Sequence, residues 1–141
     1  MTTSENARSA HVLVVDDEAD TRFLVRVILE QEGFTIAEAD DGPSAVAAFY
    51  DQKPHLVLLD IEMPTAGGMS VLEQIRATSR DVPIVVCTAH SSTAVSDEAR
   101  AMGSSGFVSK PFKAEDLVDA VRSALGGKWA AGTAQPPGTL L

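Results

Sequence analysis

Cysteine is nearly missing from this sequence. One residue of 141, Cys87, is a cysteine, so no disulfide can close within the chain and nothing points to an oxidising compartment. Long apolar runs are missing too. None approaches the roughly 20 residues that a membrane helix needs, and residues 1–10 are polar, without the apolar centre of a secretory signal. A cytoplasmic protein without membrane contact is the expectation. Positive charge is scarce: 11 Lys and Arg stand against 20 Asp and Glu, a formal net charge of −9. Nucleic-acid binders usually carry a basic footprint, so direct nucleic-acid binding is not expected. With a single thiol and three scattered histidines, a soft metal site is not expected either.

What remains is ordinary globular material, 45% hydrophobic and 22% charged, in a length that suits one domain. Short β-rich apolar runs alternate with longer stretches of helical period. Residues 11–16 form a near-continuous apolar run, the pattern of a strand buried on both faces. Phe23, Leu24, Val27 and Ile28 then recur at helical spacing, and Gly33 suits the end of that helix. A second strand over 35–40 leads into Asp41-Gly42-Pro43, with Pro43 placed for a first helical turn. Ala45, Val46 and Phe49 mark that helix, which must stop before Pro54. The unit repeats: strand 55–60, helix with Val71, Leu72 and Ile75, strand 84–88 after Pro83, a weak helix over 92–102 ended by Gly103. A short strand over 106–109 precedes the clearest stripe, Leu117, Val118, Val121, Ala124 and Leu125, closed by Gly126-Gly127. Five strands alternating with five helices predict an α/β fold, a doubly wound parallel sheet with helices on both faces. The domain is expected over 11–126, between a flexible N-terminus (1–10) and a small-residue, Pro/Gly-rich tail (127–141) in which Trp129 stands out.

Ligands of a doubly wound sheet bind beyond the carboxyl ends of its strands. The first strand ends in Asp16-Asp17 followed by Glu18, the third in Asp60, the fourth in Thr88, and the fifth runs into Lys110-Pro111. Carboxylates brought together repel one another and need a cation. Lys110 supplies one charge; Mg²⁺, a hard ion that takes oxygen ligands, fits the remainder. A carboxylate can attack phosphorus to form an aspartyl phosphate, and such a transfer needs charge neutralisation above all. Asp60, alone on its strand, is the nucleophile of choice. The Asp16–Asp17 pair is left for the metal, and Thr88 for a phosphoryl oxygen.

These stretches, Asp16-Asp17-Glu18 after two valines, Asp60-Ile61-Glu62-Met63-Pro64 after two leucines, Cys87-Thr88-Ala89, and Phe107 to Phe112 around Lys110-Pro111, resemble the receiver domain of two-component response regulators. The resemblance runs from about His11 to Leu125. It implies a flavodoxin-like strand order 2-1-3-4-5, Asp60 as phosphoacceptor, and Mg²⁺ held by Asp16, Asp17, Asp60 and the backbone carbonyl of Glu62. It implies Lys110 on the phosphoryl oxygens with a cis bond to Pro111, and Thr88 with Phe107 as a switch pair that remodels the face of fourth helix, fifth strand and fifth helix. The implied partners are a sensor histidine kinase or histidine phosphotransfer protein, docking near Thr21, Arg22 and Leu24, and a downstream protein. A monomer or a phosphorylation-dependent dimer is implied, and the only chemistry is the protein's own phosphorylation and dephosphorylation. The chain departs from the family pattern at Thr65-Ala66-Gly67-Gly68, where Met-Asp-Gly is common, and at Gly103-Ser104-Ser105; Glu62 and His90 occupy positions that vary and tune phosphoryl lifetime.

Each piece alone has a plainer reading. Asp16-Asp17 is then a solvated turn, Lys110-Pro111 a loop, Thr88 a strand residue or helix cap, and Phe107 a core aromatic. Cys87 reads as a small buried hydrophobe, His11, His55 and His90 as surface or satisfied residues, Asp40 and Asp41 as turn formers. Their joint placement favours the site. Of the rival functions, a haloacid-dehalogenase-like phosphatase would carry a second Asp where Glu62 stands, and a flavodoxin-like cofactor binder would need a Ser/Thr/Gly loop where Asp16-Asp17-Glu18 stand. A phosphorylation-independent scaffold and a receiver cut from a longer regulator complete the alternatives.

Overall fold

The strands alternate their side chains between two faces, and both faces are apolar, so the sheet has to be covered on each side. In the computed structural model, which describes residues 10–64, 67–89 and 93–126, this is what happens. The elements run β1 (His11–Val15), α1 (Ala19–Gln31), β2 (Thr35–Ala39), α2 (Gly42–Gln52), β3 (Leu56–Asp60), α3 (Gly68–Thr78), β4 (Ile84–Thr88), α4 (Thr93–Ala101), β5 (Gly106–Ser109) and α5 (Ala114–Leu125). All pairings are parallel, in the order β2-β1-β3-β4-β5. The expected ends, His90 and Trp129 lie outside the described residues, except Ala10, which is fully buried and whose carbonyl accepts from the Thr35 N–H at 3.0 Å.

Strand parity sorts the core. Val12, Val14, Leu56, Leu58, Val85, Cys87 and Val108 pack with Val25 and Leu29 of α1 and Leu117, Val118, Val121 and Leu125 of α5. Leu13, Val15, Val57, Leu59, Ile84 and Val86 face the other way, onto Ala45 and Phe49 of α2, Val71, Leu72 and Ile75 of α3, and Ala99 of α4. The same parity carries on into the polar ends. Asp16, Asp60 and Lys110 continue the α1/α5 face, whereas Thr88 and Phe107 continue the other.

Helix α1 corrects one expectation. Phe23 and Leu24 are 66% and 49% exposed, and the buried residues are Val25 and Leu29. Apolar residues occupy 23–25 and 27–29 without a break, so periodicity allows two overlapping stripes. Packing of Val25 and Leu29 between the sheet and α5 chooses one of them. Elsewhere the termini follow local chemistry. The Asp41 carboxylate caps α2 by accepting from the Ser44 N–H at 2.8 Å, with Pro43 in the first turn. Lys53 closes α2 in the left-handed region at φ 48°, its N–H on the Phe49 carbonyl at 3.1 Å, and Pro54, which has no N–H to give, cannot continue the helix.

Candidate functional site

Where β1 ends, the Asp16 N–H still bonds the Ala39 carbonyl at 3.1 Å, while its side chain folds back so that Oδ1 accepts from the Glu18 N–H at 2.9 Å. At the end of β3 the same turn recurs: Asp60 Oδ1 accepts from the Glu62 N–H at 2.9 Å. Each carboxylate therefore spends one oxygen on its own loop and turns the other toward its neighbour. Lys110 meets both. Its Nζ lies 2.8 Å from Asp16 Oδ2 and 3.3 Å from Asp60 Oδ2, and its own N–H is held by the Thr88 carbonyl at 2.8 Å. The Lys110–Pro111 bond is cis, as expected.

Asp16 and Asp60 are 3% and 4% exposed, while Asp17 is exposed at the mouth. Burial, reinforced by Asp16 and Asp17 and opposed by Lys110, pushes the Asp60 carboxyl up to about 6. For Lys110 burial acts downward, but its bonds and attraction to Asp16 and Asp60 outweigh it, and its pKa rises. Thus the ammonium is firmly charged, and Asp60 ionises below neutral pH at an energetic cost. Oxygens of Asp16, Asp17 and Asp60 all lie within 4.8 Å of one another. One ammonium against three carboxylates leaves the cluster two charges short. An all-oxygen set with that deficit suits a hard divalent cation and offers nothing to a soft one.

Thr88 is fully buried at the end of β4. In the β4–β5 register Phe107 is opposite Val86 and Ser109 opposite Thr88, which makes Thr88 and Phe107 diagonal neighbours on one face. Phe107 is partly buried there, packed on the α2–α4 core. Beneath the site Cys87 is buried among apolar side chains, and desolvation pushes its thiol up to about 12, so it stays protonated as a packing residue. His11 and His55 sit at the opposite end of the sheet and are satisfied there. The His11 N–H donates to His55 Nδ1 at 2.8 Å, and the His11 ring bonds Thr35 and Gln52.

Two residues matter more than sequence reasoning allowed. The Glu62 side chain, expected at a position that tunes phosphoryl lifetime but with no partner named for it, reaches across to the end of β4, where Oε1 accepts from the Ala89 N–H at 2.8 Å. Gly68, in the stretch that departs from the family pattern, starts α3 directly beneath the end of β3. A Cβ there would run into the Ile61 Cα and the Asp60 carbonyl. The adjacent pair Gly67-Gly68 was the only signal for it.

The comparisons agree with this geometry. Residues 12–122 match the response regulator receiver domain family. The chain is 33% identical over 115 residues to the chemotaxis protein CheY of Bacillus subtilis, covering 81% of this chain and 96% of that one. It is 39% identical over 114 residues to the DNA-binding response regulator MtrA of Mycobacterium tuberculosis, but spans about half of that protein's length (50%). Among solved structures, the receiver domain of NtrX from Brucella abortus superposes with TM-score 0.78 at 38% identity, covering 82% of this chain and 98% of that one. CheY4 of Vibrio cholerae does so with TM-score 0.79 at 29% identity and the same two coverages, 82% and 98%. Receiver domains generally act in signalling rather than in catalysis, and interact with histidine kinases or phosphotransfer proteins. With its acidic pocket at the carboxyl ends of β1 and β3, its lysine from the end of β5 and this sheet order, the chain belongs to that family: it is a receiver domain of the two-component response regulators.

Proposed function

We propose that Asp60 is the phosphoacceptor of this receiver, and that a bound Mg²⁺ assists the transfer. The observation that carries the reading is Asp60 itself, a buried carboxylate with one oxygen fixed by the Glu62 N–H and the other facing Lys110 beside Asp16. An Asp60 oxygen attacks phosphorus, and the bond from phosphorus to the donor breaks, its electron pair leaving with the donor. Asp16, Asp17 and Asp60, with the Glu62 carbonyl by family resemblance, would hold the Mg²⁺, which supplies neutralisation of the charge on the transferring group. Lys110 adds the fixed positive charge of this chain. Thr88 offers its hydroxyl to a phosphoryl oxygen, and Phe107, its diagonal neighbour, follows it inward, so that phosphorylation shifts a two-state equilibrium on the α4–β5–α5 face.

The domain extends over 11–126, works in the cytoplasm without binding nucleic acid, and signals to a downstream protein as a monomer or a phosphorylation-dependent dimer. Because the chain spans about half of the MtrA relative, the same domain also suits the receiver part of a longer regulator. Phe23 and Leu24, exposed on α1 near the Asp16 end of the sheet, support docking of the phosphodonor protein there. Leu24→Asp is expected to slow transfer from a cognate kinase by about tenfold, the equivalent of one peripheral contact, and to leave labelling by acetyl phosphate unchanged. Equal slowing of both would place Leu24 in the fold rather than in docking.

The direct test is intact mass after incubation with acetyl phosphate and Mg²⁺. One added phosphoryl group is expected, absent in Asp60→Asn and after EDTA. A gain that survives Asp60→Asn would move the acceptor elsewhere.

A further inference from the structure

Glu62 places a fourth carboxylate beside a site that already holds three. Charge alone would drive it away. It stays on the Ala89 N–H, a charge-assisted bond of 2.8 Å that joins the loop after β3 to the end of β4. The strand register shows what that N–H faces. Asp60 is paired with Cys87, and the Ile61 N–H bonds the Cys87 carbonyl at 3.3 Å, so Thr88 and Ala89 are the next two residues beyond the acceptor's partner. A strand advances about 3.3 Å per residue, and a phosphoryl group on Asp60 projects past the strand end by a comparable distance. It brings close to two negative charges and three acceptor oxygens. The Ala89 N–H is a donor at the depth where those oxygens arrive, and in the unphosphorylated chain it is already taken by an anion.

We propose that Glu62 is a latch on phosphoryl acceptance: its carboxylate stands in for a phosphoryl oxygen on the Ala89 N–H and has to leave before the group can be accepted. The proposal rests on the reading of Asp60 as phosphoacceptor and deepens it. It separates Glu62 into two parts, a backbone that orders Asp60 through its N–H and a side chain that opposes the arriving charge. Glu62 touches no reacting atom and is a positioning residue. Two variants divide charge from occupancy. Glu62→Ala removes both, and Glu62→Gln, of the same size, keeps a carbonyl able to accept from Ala89 while losing the charge.

The experiment follows the rate of mass gain with acetyl phosphate at saturating Mg²⁺, so that altered metal affinity does not enter, together with the ¹⁵N–¹H resonance of Ala89 in the unphosphorylated protein. Glu62→Ala is expected to accelerate labelling about fivefold or more and to move the Ala89 amide proton upfield as its charged acceptor is lost. Glu62→Gln is expected to fall between wild type and Glu62→Ala in both readouts. Labelling of Glu62→Ala at or below the wild-type rate, or an Ala89 amide that does not move, overturns the latch while leaving Asp60 as acceptor. If no protein is labelled, the acceptor reading falls and the latch with it.

Discussion

Gly68→Ala is expected to destabilise the domain by about 3 kcal/mol and to slow phosphorylation of Asp60 by about a hundredfold. Ordinarily the sign would be opposite, because alanine favours a helix over glycine by up to about 1 kcal/mol. Gly68 does not adopt the left-handed region, so its conformation is open to alanine, but the space is not. The new methyl group would meet the Ile61 Cα and the Asp60 carbonyl, both backbone, and backbone in the central strand cannot rotate out of the way as a side chain can. The strand end has to shift, and the carboxylate that must face phosphorus shifts with it. Gly67 makes the control. It lies at φ 73° with nothing within 4 Å of an added Cβ, so Gly67→Ala should cost only its conformational penalty, about 1 kcal/mol, and leave the site in place. Urea unfolding and the acetyl phosphate rate measure both variants. A Gly68→Ala protein as stable as wild type would show that the end of β3 yields more easily than its packing indicates.

Asp60→Asn should do two opposite things: abolish phosphorylation and stabilise the Mg²⁺-free domain at neutral pH. The Asp60 carboxyl, raised to about 6 chiefly by burial, binds its proton more tightly in the folded than in the unfolded chain, where the value is about 3.9. The folded state then carries more protons across that window, so stability falls as pH rises from about 4 to about 6, and the loss persists above it. A shift of that size corresponds to about 2–3 kcal/mol at pH 7.5. Asparagine has no such charge to bury. Nor does the change orphan Lys110, whose nearer partner is Asp16 at 2.8 Å. The expected result is a gain of about 2 kcal/mol for Asp60→Asn at pH 7.5 without metal, vanishing near pH 4. Saturating Mg²⁺ should shrink the difference, because binding stabilises the wild type selectively. Thermal unfolding of both proteins across pH, with Mg²⁺ and with EDTA, makes the comparison. A less stable Asp60→Asn at pH 7.5 would mean that Lys110 more than repays the burial of Asp60.

How legible was the site? Asp16, Asp17, Asp60, Thr88 and Lys110 were all placed correctly at strand ends, because a short, nearly continuous apolar run ended by polar residues is a local pattern. The strand bounds shifted by no more than a residue. The faces of the sheet were likewise implicit in parity, which sets Thr88 and Phe107 on one side and the Asp60–Lys110 pair on the other. Helix α1 was legible as a helix but not in its rotation, since its apolar residues run nearly round it and only contact with α5 selects Val25 and Leu29.

The sequence by itself determined the elements, their order and the residue types delivered to one edge, since each depends on neighbours a few positions away and on the ends of short apolar runs. Tertiary structure alone decided which atoms meet. Lys110 reaches Asp16 across 94 residues and Asp60 across 50, and Glu62 reaches Ala89 across 27. Gly68 is required because α3 starts against the β3 backbone, a fact of packing that no local pattern encodes. Such contacts are set by how strands align side by side and how helices close over them. Short-range periodicity therefore fixes the edge at which chemistry gathers, while long-range packing assigns each oxygen its partner.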